Sequence, residues 1–108
     1  MTITVAYAID HVVITLAGEL DLHAEIDVLG TLSAAYRPGV VAMRIDATTL
    51  EFLDASGIRS LLAARRVAQE HELVFSLVTT DSGPVARLLD LCGLTSVFAD
   101  NMPAQTCL

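Results

Sequence analysis

The run Val40-Val41-Ala42-Met43-Arg44-Ile45-Asp46 constrains the fold of this chain more than any other segment. It is short, β-branched and almost continuously apolar, which suits a strand in the middle of a sheet, covered on both faces. The segments on either side of it carry apolar residues at spacings of three and four, the signature of a helix buried along one stripe. A buried strand between helical segments argues for parallel pairing through helical crossovers, and so for an α/β domain.

The chain opens on an alternation, Ile3, Val5 and Tyr7, turns near Ile9-Asp10-His11, and resumes with Val12, Ile14 and Leu16. This predicts an antiparallel hairpin whose second strand is broken by Gly18. From about Leu22, the residues Ile26, Leu29, Leu32 and Tyr36 predict the core face of a first helix, which Pro38-Gly39 stops. Thr48, Thr49, Leu50 and Phe52 read as a loop leading to Asp54-Ala55-Ser56-Gly57. Ile58, Leu61, Leu62, Arg65 and Ala68 then keep helical spacing, and residues 73–78 read as a further short strand. Asp81-Ser82-Gly83-Pro84 supplies capping groups and a proline for a first helical position; Val85, Leu88, Leu89 and Cys92 form a stripe, and Gly93 stops it. Val97 and Phe98 remain to return to the sheet or pack on it. Residues 1–100 are expected to form one domain and residues 101–108 a loosely docked tail.

The length of 108 residues fits a single core, and 54% hydrophobic residues without a single Trp mean that Val, Leu, Ile and Ala fill it. Thirteen acids against six bases, all of them Arg, leave a formal charge of −7. Such a surface repels phosphate backbones and anionic lipid heads, so neither nucleic acid nor a membrane surface is an expected partner. No apolar run approaches the roughly 18 residues of a membrane-crossing helix. Met1-Thr2-Ile3-Thr4 lacks the features of a signal peptide, and a cytoplasmic location is expected. Cys92 and Cys107 have no Cys-x-x-Cys or His/Cys spacing and are expected as thiols. Cys92, on the third helical stripe, reads as a small core side chain, and a redox pair with Cys107 would need the tail to fold back.

Catalytic chemistry finds little to stand on. His11, His23 and His71 have no metal-ligand spacing and read as solvated side chains. There is no Gly-x-Gly-x-x-Gly and no lysine for a phosphate-binding loop, so neither enzyme activity nor a cofactor or metal is expected. Asp54-Ala55-Ser56-Gly57 stands out because it immediately precedes an apolar helix. Free N–H groups and the helix dipole would partly stabilise a phosphate on a hydroxyl there, while Asp54 or Ser56 could equally serve as a plain N-cap. Gly18-Glu19-Leu20-Asp21 ends the second strand before the first helix, and Asp46 ends the central run. If these strands are neighbours, Asp21, Asp46 and Asp54 gather around the C-terminal edge of the sheet; Asp21 acting only as a cap is the alternative.

Three segments in order, Gly18-Glu19-Leu20-Asp21, Asp46 to Leu50 with Phe52-Leu53-Asp54-Ala55-Ser56-Gly57, and Val85-Ala86-Arg87-Leu88-Leu89-Asp90-Leu91-Cys92-Gly93-Leu94, resemble the STAS domain. That fold is shared by bacterial anti-sigma factor antagonists and the cytosolic tails of sulfate transporters. The resemblance implies a small mixed sheet with helices packed mainly on one face. It also implies an antagonist that binds an anti-sigma factor of the serine-kinase type, releases a sigma factor for transcription, and is inactivated when that kinase phosphorylates it. The alternative it leaves is a separately encoded STAS subunit of a membrane transporter or lipid-trafficking complex.

In the family pattern Asp is followed by Ser, then Ser or Thr, then Gly, and the hydroxyl directly after Asp is the phosphoacceptor. Here that position is Ala55. Either Ser56 takes the phosphate, or the protein is an antagonist that is never phosphorylated and binds constitutively. The resemblance carries partner contact onto Asp21 and Asp54 with Ala55, Ser56 and Gly57; beside them Ile58 could add an apolar contact and Arg59 a charged one. Arg59 and Arg66 share a face of the second helix, with Arg65 beside them, and could meet an acidic partner surface or simply face solvent.

Overall fold

Period-two alternation builds the first two strands, β1 (Thr2–Ala8) and β2 (His11–Leu20), as an antiparallel hairpin closed at Ala8 and His11. There follow α1 (Leu22–Ala35), β3 (Ala42–Leu53), α2 (Ala55–Glu70), β4 (Val74–Val78) and α3 (Pro84–Leu91). The structure, a computed structural model, describes residues 1–80, 83–94 and 98. Their strands form one sheet in the order β1-β2-β3-β4, antiparallel across the hairpin and parallel across β2/β3 and β3/β4. The expected order of strands and helices holds, and so does the antiparallel edge.

The central run lies in β3, between β2 and β4, but it is covered on one face only. Val12, Met43 and Phe75 form one cross-strand row and Ile14, Ile45 and Leu77 the next, all buried. On the opposite face Arg44 is exposed between Val13 and Ser76. The polar residues inside the run therefore carry a period of two that its apolar character masks. The buried face meets Ala24, Val28, Leu32 and Ala35 of α1 and Ile58, Leu61, Ala64 and Ala68 of α2 in one hydrophobic core. Phe98 is fully buried and packs on Phe75, with ring centroids 6.1 Å apart, so it packs on the sheet; Val97 lies outside the described residues.

Three local expectations are corrected. The first helix does not bury Ile26, Leu29 and Tyr36, which are exposed; of that stripe only Leu32 is inside. The true face is Ala24, Val28, Leu32 and Ala35. Residues 48–53 are not a loop but the second half of β3. They pair with β2 through two register shifts, and both place an extra residue on β3. Asp46 Oδ1 accepts hydrogen bonds from the Thr48 N–H at 3.0 Å and the Thr48 hydroxyl at 2.7 Å, bracing the first of them. Gly18 does not break β2; with φ of 101° it sits at the second shift and the strand runs on to Leu20.

The stops of α2 and α3 use one device with two different residues. In α3 the Gly93 N–H bonds to the Asp90 carbonyl and the Leu94 N–H to the Leu89 carbonyl, a paired closure with Gly93 at positive φ. Cys92 caps this helix and is exposed, so it is not the core side chain its spacing promised; Cys107, Asp81 and Ser82 lie outside the described residues. At the end of α2 the same pair of bonds, Glu72 to Gln69 and Leu73 to Ala68, forces Glu72 to φ of 57°. A side chain there costs about 1–2 kcal/mol. Glu72→Gly is therefore expected to raise stability by about 0.5–1 kcal/mol, after the larger chain entropy of glycine is subtracted, as a higher urea midpoint.

Candidate functional site

Asp21 and Asp54 come together because the strands that precede them end side by side. Leu20 and Leu53 are register partners at the ends of β2 and β3, and the Asp54 N–H reaches the Leu20 carbonyl at 3.4 Å. Each Asp is extended and caps the helix that follows. Asp21 Oδ1 accepts from the Ala24 N–H at 3.1 Å, and Asp54 Oδ1 from the Gly57 N–H at 3.1 Å. A cap of this kind contributes about 1 kcal/mol. The result is two helix N-termini at one edge of a parallel sheet pair, where α/β domains place their sites.

Asp46 does not join them. It pairs with Thr15 and Val78 in mid-sheet and braces the β3 irregularity, eight residues before Asp54 and roughly 20 Å away along the strand. Proximity in sequence to the end of the apolar run was misleading because the strand continues past it.

The tetrapeptide divides by burial. Ala55 is exposed at the first position of α2, whereas Ser56 is only 7% exposed and Gly57 and Ile58 are buried. Gly57 is where it is because α2 begins in contact with the strand ends: a Cβ there would lie 2.6 Å from the Leu20 carbonyl oxygen and 2.8 Å from Leu53 Cβ. Arg59 reaches back over this turn. Its Nη2 donates to Ser56 Oγ at 2.9 Å and to Glu25 Oε1 at 3.3 Å, and its Nε to Glu25 Oε2 at 3.4 Å. The guanidinium thus ties α1 to α2 and occupies the Ser56 hydroxyl, while Ser60 Oγ donates to the Ser56 carbonyl.

Several residues at this edge escaped the sequence reading. Glu25 lies on the α1 face shared with Leu22 and Leu29, and Leu22, Ile26 and Phe52 are large apolar side chains left exposed, Ile26 at 78%. The signal was the i, i+3, i+4 spacing of Leu22, Glu25, Ile26 and Leu29, which assigning Ile26 to the core concealed. On the other flank an open concavity of about 480 Å³ is lined by Glu19, Asp21, Asp27 and Glu51 with His23. His11 lies 3.2 Å from its neighbour Asp10, and His71 stacks on Tyr36 with centroids 4.0 Å apart. Among the described residues no cluster of three or more His, Cys, Asp or Glu could hold a metal, and no helix is long and apolar enough to cross a membrane.

The family described as "Mlab, STAS domain" matches residues 3–99. The chain belongs to the STAS domain family. Solved structures agree with this STAS domain in fold. The anti-sigma factor antagonist SpoIIAA in its unphosphorylated form is 26% identical with a TM-score of 0.64, over 82% of this chain and 80% of that one. The Bacillus cell fate determinant SpoIIAA in its phosphorylated form is 25% identical with a TM-score of 0.68, over 94% and 89%. An anti-sigma factor antagonist from Mycobacterium paratuberculosis, 23% identical, superposes with a TM-score of 0.76 over 90% and 81%. None of the curated proteins matches this STAS domain in sequence. The STAS fold and its small mixed sheet, with α1 and α2 against the buried face, are as the sequence implied.

Proposed function

We propose that this STAS domain is a cytoplasmic anti-sigma factor antagonist that binds a serine-kinase-type anti-sigma factor, frees a sigma factor for transcription, and remains in its binding form because the start of α2 offers no accessible phosphoacceptor. The observation that carries this is the division of the tetrapeptide: the exposed position after Asp54 is Ala55, whereas its one hydroxyl, on Ser56, is buried and held by Arg59, and Ser60 one turn on is fully buried. Similarity to antagonists solved in unphosphorylated and phosphorylated forms supports the class of partner. Asp21, Asp54, Ala55 and Arg59 would meet the partner, since they are at least partly exposed. Ser56, Gly57 and Ile58 would act by placing them.

A kinase needs the serine hydroxyl in line with the γ-phosphate of ATP, so that the oxygen takes the phosphoryl group and ADP leaves. Ser56 would have to unwind the first turn of α2 to comply. Incubated with a serine-kinase-type anti-sigma factor and ATP, the wild-type chain is expected to take no phosphate by mass spectrometry, and Ala55→Ser to take one at residue 55. Phosphate on Ser56 of the wild type would overturn the constitutive reading. Affinity capture from the source cell should recover a serine-kinase-type anti-sigma factor; recovery of a permease or transport ATPase instead would favour the transporter-subunit alternative.

A further inference from the structure

The exposed face of the α1–α2 pair joins the N-terminal turn of α2 to a groove of about 270 Å³, lined by Glu25 and Leu29 from α1 and by Arg59, Leu62, Ala63 and Arg66 from α2. Leu22 and Ile26 border it from α1, at 60% and 78% exposure. Helical periodicity aligns Leu22, Ile26 and Leu29 on one rim and Arg59, Leu62 and Arg66 on the other, so the groove runs along both helices. The core does not take up Leu22, Ile26 or Leu29, since α1 buries Ala24, Val28, Leu32 and Ala35 instead, while Leu62 of α2 is half-buried against it.

Charge selects the occupant. The chain carries only six cations against thirteen acids, yet three of the six lie on α2 and two of those line this groove. Arg59 is matched by Glu25, whereas Arg66 is exposed with no carboxylate within 4.0 Å among the described residues. The concavity on the other flank of α1 is acidic. A partner carrying acidic residues is therefore better matched here than on the acidic flank of α1.

We infer that the α1–α2 groove is the docking site for an amphipathic helix of a partner protein, which lays apolar residues on Leu29, Leu62 and Ala63 and brings a carboxylate to Arg66. The inference deepens the partner reading given above and rests on it only for the identity of the partner. It extends the contact from the α2 N-terminus along most of α2, and makes apolar burial the source of affinity and Arg66 the source of orientation.

The test uses two synthetic helical peptides of about 14 residues. Both have Leu at helical spacing; one carries Glu on its flanks and the other Lys. A chain at −7 should prefer the lysine peptide wherever contact is nonspecific. Titrated into ¹⁵N-labelled protein, the glutamate peptide is expected to shift amides of α1 and α2 around Leu29 and Leu62 and to bind at least about ten-fold tighter than the lysine peptide. Arg66→Glu should reverse that order. Equal or inverted preference in the wild type, shifts confined to the open sheet face, or no binding would overturn the groove.

A second measurement separates this from the functional reading. Ile26→Glu and Arg66→Glu alter exposed side chains, and thermal melting checks that they fold. If a serine-kinase-type anti-sigma factor binds both variants as tightly as wild type, the groove falls and the antagonist stands. If that protein binds no form while the glutamate peptide docks as described, the groove stands and the antagonist reading falls.

Discussion

Replacing Gly57 with Ala is expected to destabilise the domain by about 3 kcal/mol, a large share of the roughly 5–15 kcal/mol that holds a domain of this size together. The added methyl would sit 2.6 Å from the Leu20 carbonyl oxygen and 2.8 Å from Leu53 Cβ, with Leu20 Cγ at 3.2 Å. All three atoms belong to Leu20 and Leu53, strand ends locked in register, and the Leu20 carbonyl also accepts the Asp54 N–H. Relief therefore requires α2 to lift its first turn, which strains the Asp54 cap and draws Ile58 from the core. Gly30→Ala is the control: within α1 nothing lies within 4 Å of the new carbon, and stability should rise by about 0.5–1 kcal/mol. Urea unfolding reads both, since a loss of this size lowers the midpoint by about 1 M or more. A Gly57→Ala midpoint matching wild type would show that the helix does not rest on the strand ends as described.

That close approach also explains what could be read from the sequence and what could not. The hairpin, the central place of the 40–46 run and the two capped helix starts were legible because each rests on local chemistry: alternation, a Pro-Gly stop, an Asp three residues before a bonded N–H. The face of α1 was not, because hydrophobic weight pointed to Ile26 and Leu29, while the face turned to the core carries Ala24, Val28 and Ala35 beside Leu32. Nor was the length of β3, since Thr48, Thr49 and Glu51 look like loop residues and become strand only through pairing with β2. In the site, Asp21, Asp54 and Gly57 could be found by motif. That Ser56 points inward and Ala55 outward could not, because burial at a first helical turn depends on what the turn rests against.

The last expected result concerns Ala55, where a charge should act on binding without acting against folding. Ala55 is exposed at the first position of α2, so a larger side chain there enters solvent. A glutamate in the first turn of a helix is favoured by the dipole by about 0.3–1 kcal/mol, and Ala55→Glu should melt no lower than wild type. For the anti-sigma factor partner the same change places a carboxylate between Asp54 and the docking groove, imitating part of the charge that a phosphorylated residue would carry there. An interface built on Asp21, Asp54 and Arg59 would then face an uncompensated, desolvated anion, and a loss of about 3 kcal/mol corresponds to about 150-fold weaker binding. Ala55→Gln, equal in size and uncharged, should lose far less, and Ala55→Ser should bind as wild type until it is phosphorylated. Calorimetric titration of the four proteins measures the difference. If glutamate and glutamine weaken binding equally, bulk alone is at work and the electrostatic account of the loss is wrong; if neither weakens it, the partner does not touch the α2 N-terminus.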